Sequence, residues 1–145
     1  MIETDVLYAY VKERDWLTPV AEKLINLIER GVFGKVYASR EVLHELYYVS
    51  MEEGVPLDEF IARAAAITGV ENLVFLDTSY VVDLLAFTLM RQYNLRSVFD
   101  AYHAATALNM TEDHIIISTD DAYDRIPGLK RLDPRELVKT KQTDT

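Results

Sequence analysis

The sequence predicts an α/β fold in three layers, in which helices cover both faces of a mostly parallel central sheet. Short apolar runs alternate along the chain with longer stretches whose apolar residues recur every three or four positions. The first pattern is typical of buried strands and the second of amphipathic helices. Because the strands are too far apart in sequence for hairpins, crossover connections and parallel pairing are expected.

Strands are predicted where β-branched and other apolar residues cluster between polar segments. The clearest case is the run of isoleucines at residues 115–117. The first run leads directly into residues 8–11, where a helix could begin, and the last follows a turn at Pro127 and Gly128. The predicted strands cover residues 1–7, 36–38, 72–76, 114–118 and 130–132.

Helices are predicted from apolar periodicity and from residues that favour helix ends. Thr18 followed by Pro19 favours a helix start. Ser39 can cap a second helix, and Asp77 with Thr78 can cap a later one. The predicted helices cover residues 18–31, 39–54, 57–67, 77–93 and 98–110.

Length and composition predict one domain. The chain has 145 residues, half of them hydrophobic, and carries no long flexible linker. The domain is expected at residues 1–138, with a polar, frayed tail at 139–145. The sequence lacks cysteine, which excludes disulfides and thiolate metal sites, and it lacks an apolar run long enough to span a membrane. A soluble cytoplasmic protein without a membrane partner is expected.

The net charge of −9 argues against a broad basic surface for nucleic acid. It does not exclude a nucleic-acid substrate. Carboxylates that hold cations add to the negative total, and a local basic rim can coexist with it.

Several acidic residues stand in segments that otherwise have the pattern of a core. Glu45 shares a helix face with two valines, Asp100 lies on an alanine-rich helix, and Asp120 follows the isoleucine strand. Carboxylates are rarely buried unless a positive group compensates them. Taken singly, each acid has an open alternative. Glu45 could be a solvent-exposed side chain at the edge of its helix face, and Asp100 could cap its helix.

Glu3 and Asp5 lie at the end of the first predicted strand, so parallel strands would bring them to the same sheet edge as Asp120. Like charges at such an edge repel one another, and Mg²⁺ or Mn²⁺ is the simplest compensating group. Neutralising Asp100 or Glu45 is therefore expected to stabilise the metal-free protein. The chemistry that needs this arrangement is phosphodiester hydrolysis by an activated water.

Other residues near these acids are secondary candidates. Ser118 and Thr119 are placed to orient a ligand or a water, and Asp124 to assist the last acid. His103 lies one turn from Asp100 and could approach the site, although a structural histidine is the preferred interpretation. Three arginines are candidates for holding phosphate, namely Arg40, Arg91 and Arg96.

The acidic residues and their flanking sequences resemble the PIN domain family of metal-dependent ribonucleases, which includes the VapC-type toxins of toxin–antitoxin pairs. The resemblance extends over nearly the whole chain. The strongest likeness is the segment Phe-Asp-Ala-Tyr-His-Ala-Ala-Thr-Ala-Leu around Asp100, which is similar to the helix that carries the family's third acid. The matching segments are, in order, residues 2–7, 39–48, 99–108 and 117–124.

One position departs from the family pattern. The family's Asp-Thr-Asn start is Glu-Thr-Asp here, so the first Asp falls on Glu3 and the Asn falls on Asp5. Either Glu3 reaches the metal, or Asp5 takes over, or both contribute.

The resemblance implies a PIN fold and a metal-dependent endoribonuclease that cleaves single-stranded RNA. Its catalytic residues would be Glu3, Asp5, Glu45, Asp100 and Asp120, of which all except Glu45 would hold Mg²⁺ or Mn²⁺. The family also implies a homodimer and, for a toxin, a small antitoxin partner. The alternative is a catalytically silent PIN-like module that binds RNA or a protein partner. The departure at Glu3 and the acidic charge keep this alternative open, and the intact Glu45, Asp100 and Asp120 argue against it.

Overall fold

Parallel strands form the middle of the structure, a computed structural model that describes residues 1–12 and 14–143. The strands are β1 (Val36–Ser39), β2 (Leu73–Leu76), β3 (Ile115–Ile117) and β4 (Lys130–Leu132). The helices are α1 (Thr4–Val11), α2 (Thr18–Glu29), α3 (Glu41–Glu52), α4 (Leu57–Thr68), α5 (Tyr80–Tyr93), α6 (Val98–Met110) and α7 (Pro134–Thr143). A 3₁₀ helix covers Asp121–Arg125. Strand β1 pairs in parallel with β2, and β3 with β4.

The first three residues of the chain join the two strand pairs. Ile2 forms a parallel bridge to Ile117 of β3, and its N–H donates to the carbonyl of Tyr37 in β1 at 2.7 Å. On the β3 side, the N–H of Ile117 donates to Met1, and the N–H of Glu3 donates back to Ile117. Residues 1–3 therefore occupy the centre of the sheet.

Two hydrophobic cores lie on opposite faces of this sheet. Successive residues of a strand point to opposite faces, and accordingly Ile2 and Ile117 belong to one core while Met1 and Ile116 belong to the other. The first core contains side chains of α1 to α4 and α7, and the second contains those of α5, α6 and the 3₁₀ helix. This arrangement confirms the predicted α/β fold with helices on both faces.

The predicted strand at residues 1–7 is wrong beyond its third residue. Strand pairing ends at Glu3, and α1 begins at Thr4. The buried residues Val6, Leu7 and Ala9 fit a helix as well as a strand, because a short apolar run does not distinguish the two periods. Glu3 thus becomes the residue at which the central strand turns into a helix.

The predicted frayed tail at residues 139–145 is a helix over most of its length. Helix α7 runs from Pro134 to Thr143 and buries Val138 in the first core, while residues 144 and 145 lie outside the described residues. Asp133 accepts a hydrogen bond from the N–H of Arg135, which together with Pro134 is a helix-start pattern that the polar composition obscures.

Predicted elements in the middle of the chain agree with the structure to within a few residues, with one correction. Asp77 does not cap α5, which begins after Ser79 and has no side-chain cap. The Asp77 side chain is 90% exposed and lies 3.8 Å from Arg40. Within the described residues, none of the helices is both long enough and apolar enough for a membrane crossing.

Helix α6 lies at the centre of the helical packing. It contacts α5, α3, β1 and β3, and four of its alanines are completely buried: Ala101, Ala104, Ala105 and Ala107. Small side chains allow neighbouring elements to approach closely, and this helix also carries Asp100 and His103. The alanine-rich sequence therefore fixes where these two side chains lie.

We expect Ala104→Leu to lower the free energy of unfolding by about 1–3 kcal/mol, because the added carbons have no space between α6 and its neighbours. Ala66→Leu in the exposed face of α4 is the matched control and should change it little. Urea denaturation measures both. Equal effects of the two substitutions would contradict the close packing of α6.

Candidate active site

The structure brings the five predicted carboxylates to one cleft at the carboxyl edge of the sheet. Glu3 ends the central strand, Asp5 lies in the first turn of α1, and Asp120 follows β3. Glu45 reaches the cleft from α3, and Asp100 from the first turn of α6. The cleft has a volume of about 330 Å³ and is also lined by Thr4, Tyr8, Val49 and Thr119.

Glu3 is the most deeply buried of these acids, with its side chain 6% exposed. One carboxylate oxygen accepts a hydrogen bond from Ser118 Oγ at 3.0 Å, and the other lies 3.8 Å from His103 Nε2. Burial raises the pKa of Glu3 well above its ordinary value, and the nearby charges of Asp5 and Glu45 raise it further. A negative charge on Glu3 is therefore costly in the metal-free protein.

Asp5 has a different environment, because donors occupy both of its oxygens. Its Oδ2 accepts from the backbone N–H of Thr119 at 2.8 Å and from the Thr119 hydroxyl at 2.6 Å. Its Oδ1 accepts from the N–H of Val6 at 2.8 Å. Asp5 thus ties the start of α1 to the loop after β3.

Glu45 is held by His103, which is completely buried. His103 Nε2 lies 3.0 Å from Glu45 Oε1 and 3.1 Å from the hydroxyl of Thr4, while its Nδ1 has no hydrogen-bond partner among the described residues. Burial alone would raise the pKa of Glu45, but the hydrogen bond and charge of His103 outweigh it and hold the pKa below its ordinary value. Glu45 is therefore the stabilised anion of the cluster.

Asp100 and Asp120 form the outer side of the cleft. Burial raises the pKa of Asp100 to about 6, with the charges of Glu45 and Asp120 adding to the effect. Tyr123, which is buried, donates its hydroxyl to Asp100 Oδ1 at 3.4 Å. Asp120 Oδ1 accepts from the N–H of Ala122 and so caps the 3₁₀ helix. Each acid keeps a second oxygen that makes no hydrogen bond within the described part of the chain.

The cluster fits a divalent cation. Among the described residues, no lysine or arginine forms an ion pair with any of the five acids, so His103 is the nearest basic side chain. Glu3, Glu45 and His103 offer ligand atoms within 4.8 Å of one another, and the carboxylates supply the hard oxygen donors that Mg²⁺ and Mn²⁺ prefer. A cation would lower the cost of ionising Glu3 and Asp100.

Comparison with known families agrees with this geometry. The family model described as the PIN domain matches residues 1–129. The chain belongs to the PIN domain family. PIN domains are generally nucleases that use divalent metals, so membership places this chain in a nuclease superfamily. No curated protein sequence shows significant similarity to it.

In this PIN domain the hydroxyl groups of Ser118 and Thr119, predicted to orient a ligand or a water, form hydrogen bonds with the acids. Ser118 donates to Glu3, and Thr119 donates to Asp5 through both its hydroxyl and its backbone N–H. Their hydrogen bonds fix the orientation of the two carboxylates.

The remaining secondary candidates lie farther out. Asp124 is outside the cleft, where both of its oxygens accept from Arg131 at 3.0 Å. Arg96 lines a neighbouring cleft, whereas Arg40 and Arg91 line neither of the two. Of these candidates, Arg96 alone keeps a place beside the acids.

Sequence reasoning gives no site role to Thr4 and Tyr123, and it prefers a structural role for His103. His103, interpreted from the sequence as structural, contacts Glu45 and lies beside Glu3. Thr4 and Tyr123 have no predicted site role, and each forms a polar contact with the cluster, Thr4 through His103 and Tyr123 through Asp100. The one available signal is the spacing of His103 one turn after Asp100, which places both on one helix face.

We expect neutralisation of Asp100 and of Glu45 to have opposite effects on the metal-free protein. Because the pKa of Asp100 is about 6 in the fold, the stability that its carboxyl group provides at low pH is lost as the pH rises through 6. At pH 8 in a chelator, Asp100→Asn should raise the free energy of unfolding by about 2 kcal/mol after allowance for solvent screening, with no gain at pH 4.

Glu45→Gln should instead lower the free energy of unfolding by about 1 kcal/mol at pH 8, because a charge-assisted hydrogen bond to His103 becomes a neutral one. This corrects the expectation that neutralising either acid stabilises the protein. Chemical denaturation at the two pH values measures both variants. A less stable Asp100→Asn at pH 8 would contradict the repulsion inferred at this position.

Proposed function

We propose that the protein is a metal-dependent endoribonuclease that hydrolyses phosphodiester bonds of single-stranded RNA. The observation that carries the proposal is the convergence of Glu3, Asp100 and Asp120 in one open cleft without a neutralising lysine or arginine among the described residues. This is an expensive arrangement for a fold that needs only stability. It suits a protein that binds a cation beside a phosphate.

We assign the metal to Glu3, Asp100 and Asp120. The ligand atoms that lie within 4.8 Å of one another are those of Glu3, Glu45 and His103, but His103 already holds Glu45, whereas Asp100 and Asp120 each keep a carboxylate oxygen without a hydrogen bond among the described residues. Glu3 is preferred to Asp5 because it has one side-chain donor within 3.0 Å, whereas Asp5 accepts strong hydrogen bonds on both oxygens. A ligand must present a free lone pair, and Glu3 has more of them to offer. The extra methylene that distinguishes Glu3 from the family's Asp is compatible with this role, since its carboxylate lines the cleft.

When bound, Mg²⁺ or Mn²⁺ neutralises the phosphate and acidifies an attacking water. The protein's own residues then have separate tasks. Glu45, kept ionised by His103, is available to hold that water and accept its proton. Ser118, Thr119 and Asp5 keep Glu3 and the loop after β3 in place, so the acids need not reorganise during the reaction.

Family membership supports RNA as the substrate, and the charge of the chain does not exclude it. PIN nucleases act on RNA. A single strand is flexible and can enter an open cleft. Its binding does not require the broad basic surface that a net charge of −9 disfavours.

We extend the proposal to a toxin of the VapC type that works as a homodimer with a small antitoxin protein. This extension rests on the family resemblance alone. A small open reading frame beside the gene, whose product binds the protein and inhibits it, is the expected finding. The absence of such a product would leave a nuclease outside toxin–antitoxin systems.

We expect the purified protein to cleave labelled single-stranded RNA in Mn²⁺ or Mg²⁺ and to lose cleavage in a chelator. Asp100→Asn should lower the rate at least about 100-fold, because it removes one charged metal ligand. Asp77→Asn is the matched control, since it makes the same change at an exposed acid outside the cleft. Gel electrophoresis of the products measures each rate.

Wild-type cleavage by Asp100→Asn would overturn the mechanism. Binding of RNA without turnover in either metal would instead favour the catalytically silent module. Circular dichroism of each variant separates loss of activity from loss of the fold.

A further inference from the structure

A second cleft adjoins the acidic one, and part of its wall is formed by positively charged side chains. Asp100 and Asp120 line both clefts, so the two form one continuous depression. Beyond these acids, the second cleft has a volume of about 320 Å³ and is lined by Arg96 and Arg125. The sequence singles out Arg96 but gives no reason to choose Arg125.

The two arginines are exposed and chemically available. Within residues 1–12 and 14–143, the side chains of Arg96 and Arg125 form neither a hydrogen bond nor an ion pair. Arg131 offers a contrast, because both oxygens of Asp124 accept its guanidinium hydrogens. Arg96 and Arg125 border the acids of the cleft without pairing to them, so neutralising these acids does not account for their position.

The backbone fixes each arginine relative to one of the acids. Arg96 lies in the short turn between α5 and α6, directly before Ser97, whose hydroxyl caps the helix that carries Asp100. Arg125 is the last residue of the 3₁₀ helix that Asp120 caps. Each arginine is therefore four or five residues from an acid of the cleft, on the same rigid unit.

We propose that Arg96 and Arg125 bind the phosphate of the nucleotide next to the one that is cleaved. This inference rests on the proposed ribonuclease function. It adds the path of the RNA strand, which would run from the acidic cleft toward the arginines. Guanidinium groups bind phosphate oxygens through paired N–H donors. In a chain of net charge −9, this pair supplies the local attraction that the acidic cleft lacks. Three acids, Asp100, Asp120 and Asp121, also line this cleft, so the attraction for phosphate is confined to the part of the wall that the two arginines form.

The test compares two double variants that change net charge equally. Arg96→Gln with Arg125→Gln removes the proposed site, and Lys23→Gln with Arg30→Gln removes two exposed basic residues that line neither cleft. The probe is a fluorescein-labelled single-stranded RNA dodecamer, with binding followed by anisotropy in Ca²⁺ over a series of salt concentrations. The same proteins are assayed for cleavage of this RNA in Mn²⁺.

We expect the site variant to bind about tenfold more weakly than wild type at low salt. The slope of log K against log salt should fall by about 0.7 for each phosphate that the variant no longer neutralises. The control variant should bind like wild type. One uncharged methylphosphonate, moved along the RNA, should weaken wild-type binding most at the linkage beside the cleaved one and should not weaken the site variant there.

Binding by the site variant that equals wild type, or that falls no more than in the control, overturns the inference even if cleavage is intact. Weaker binding confined to the site variant supports a phosphate site at the two arginines even if no cleavage is seen, and in that case the nuclease proposal fails and the position relative to a cleaved linkage fails with it.

Discussion

Main-chain hydrogen bonds made by residues 1–3 with Tyr37, Ile115 and Ile117 hold the centre of the sheet, and the rest of the structure depends on them. They link β1 on one side to β3 on the other. The alternation of Met1 and Ile2 sends one side chain into each core. The same register places Glu3 beside Ser118, at the edge where α1 starts. A one-residue slip would exchange the two core side chains and turn Glu3 away from the cleft.

The cleft concentrates carboxylates that the fold compensates unequally. Donors occupy both oxygens of Asp5, and Glu45 has His103, while Glu3 and Asp100 carry raised pKa values because burial and neighbouring acids penalise their charge. The first two acids stabilise the metal-free protein, and the second two cost it stability. Such a cost is expected where binding of a cation is the function, because the bound ion removes the penalty. The fold thus compensates Asp5 and Glu45 through hydrogen bonds and leaves a penalty on the charge of Glu3 and Asp100.

Much of the fold can be predicted because its signals are local. The isoleucine strand and the alanine-rich helix α6 stand out by composition and period, and they place Asp120 and Asp100 at one edge before any contact is known. Helix α1 escapes prediction because the short apolar stretch at Val6 and Leu7 fits both periods. Helix α7 escapes prediction because its polar composition resembles a frayed terminus. In both cases tertiary packing, with Val6 and Val138 in the first core, decides the structure.

The sequence predicts which acids converge at the candidate site, but not which contacts each side chain makes there. The choice between Glu3 and Asp5 depends on Thr119, which is more than a hundred positions away in sequence and meets Asp5 only through the sheet register. A lone histidine on an apolar face is usually structural, and the contact of His103 with an acid of α3 requires α3 and α6 to pack together. Arg125 lines the same cleft as Arg96, although α6 and β3 lie between them in sequence. Contacts between residues so far apart in sequence do not produce a periodic pattern from which they could be predicted.

A divalent ion held by Glu3 rather than Asp5 would explain why the fold tolerates this cluster. Its position can be measured in an anomalous difference map at the manganese absorption edge, from crystals grown in Mn²⁺. We expect a peak in direct contact with carboxylate oxygens of Glu3, Asp100 and Asp120, with Asp5 still hydrogen-bonded to Thr119. A peak on Asp5 with Glu3 turned away, or no peak in this cleft, would contradict the assignment.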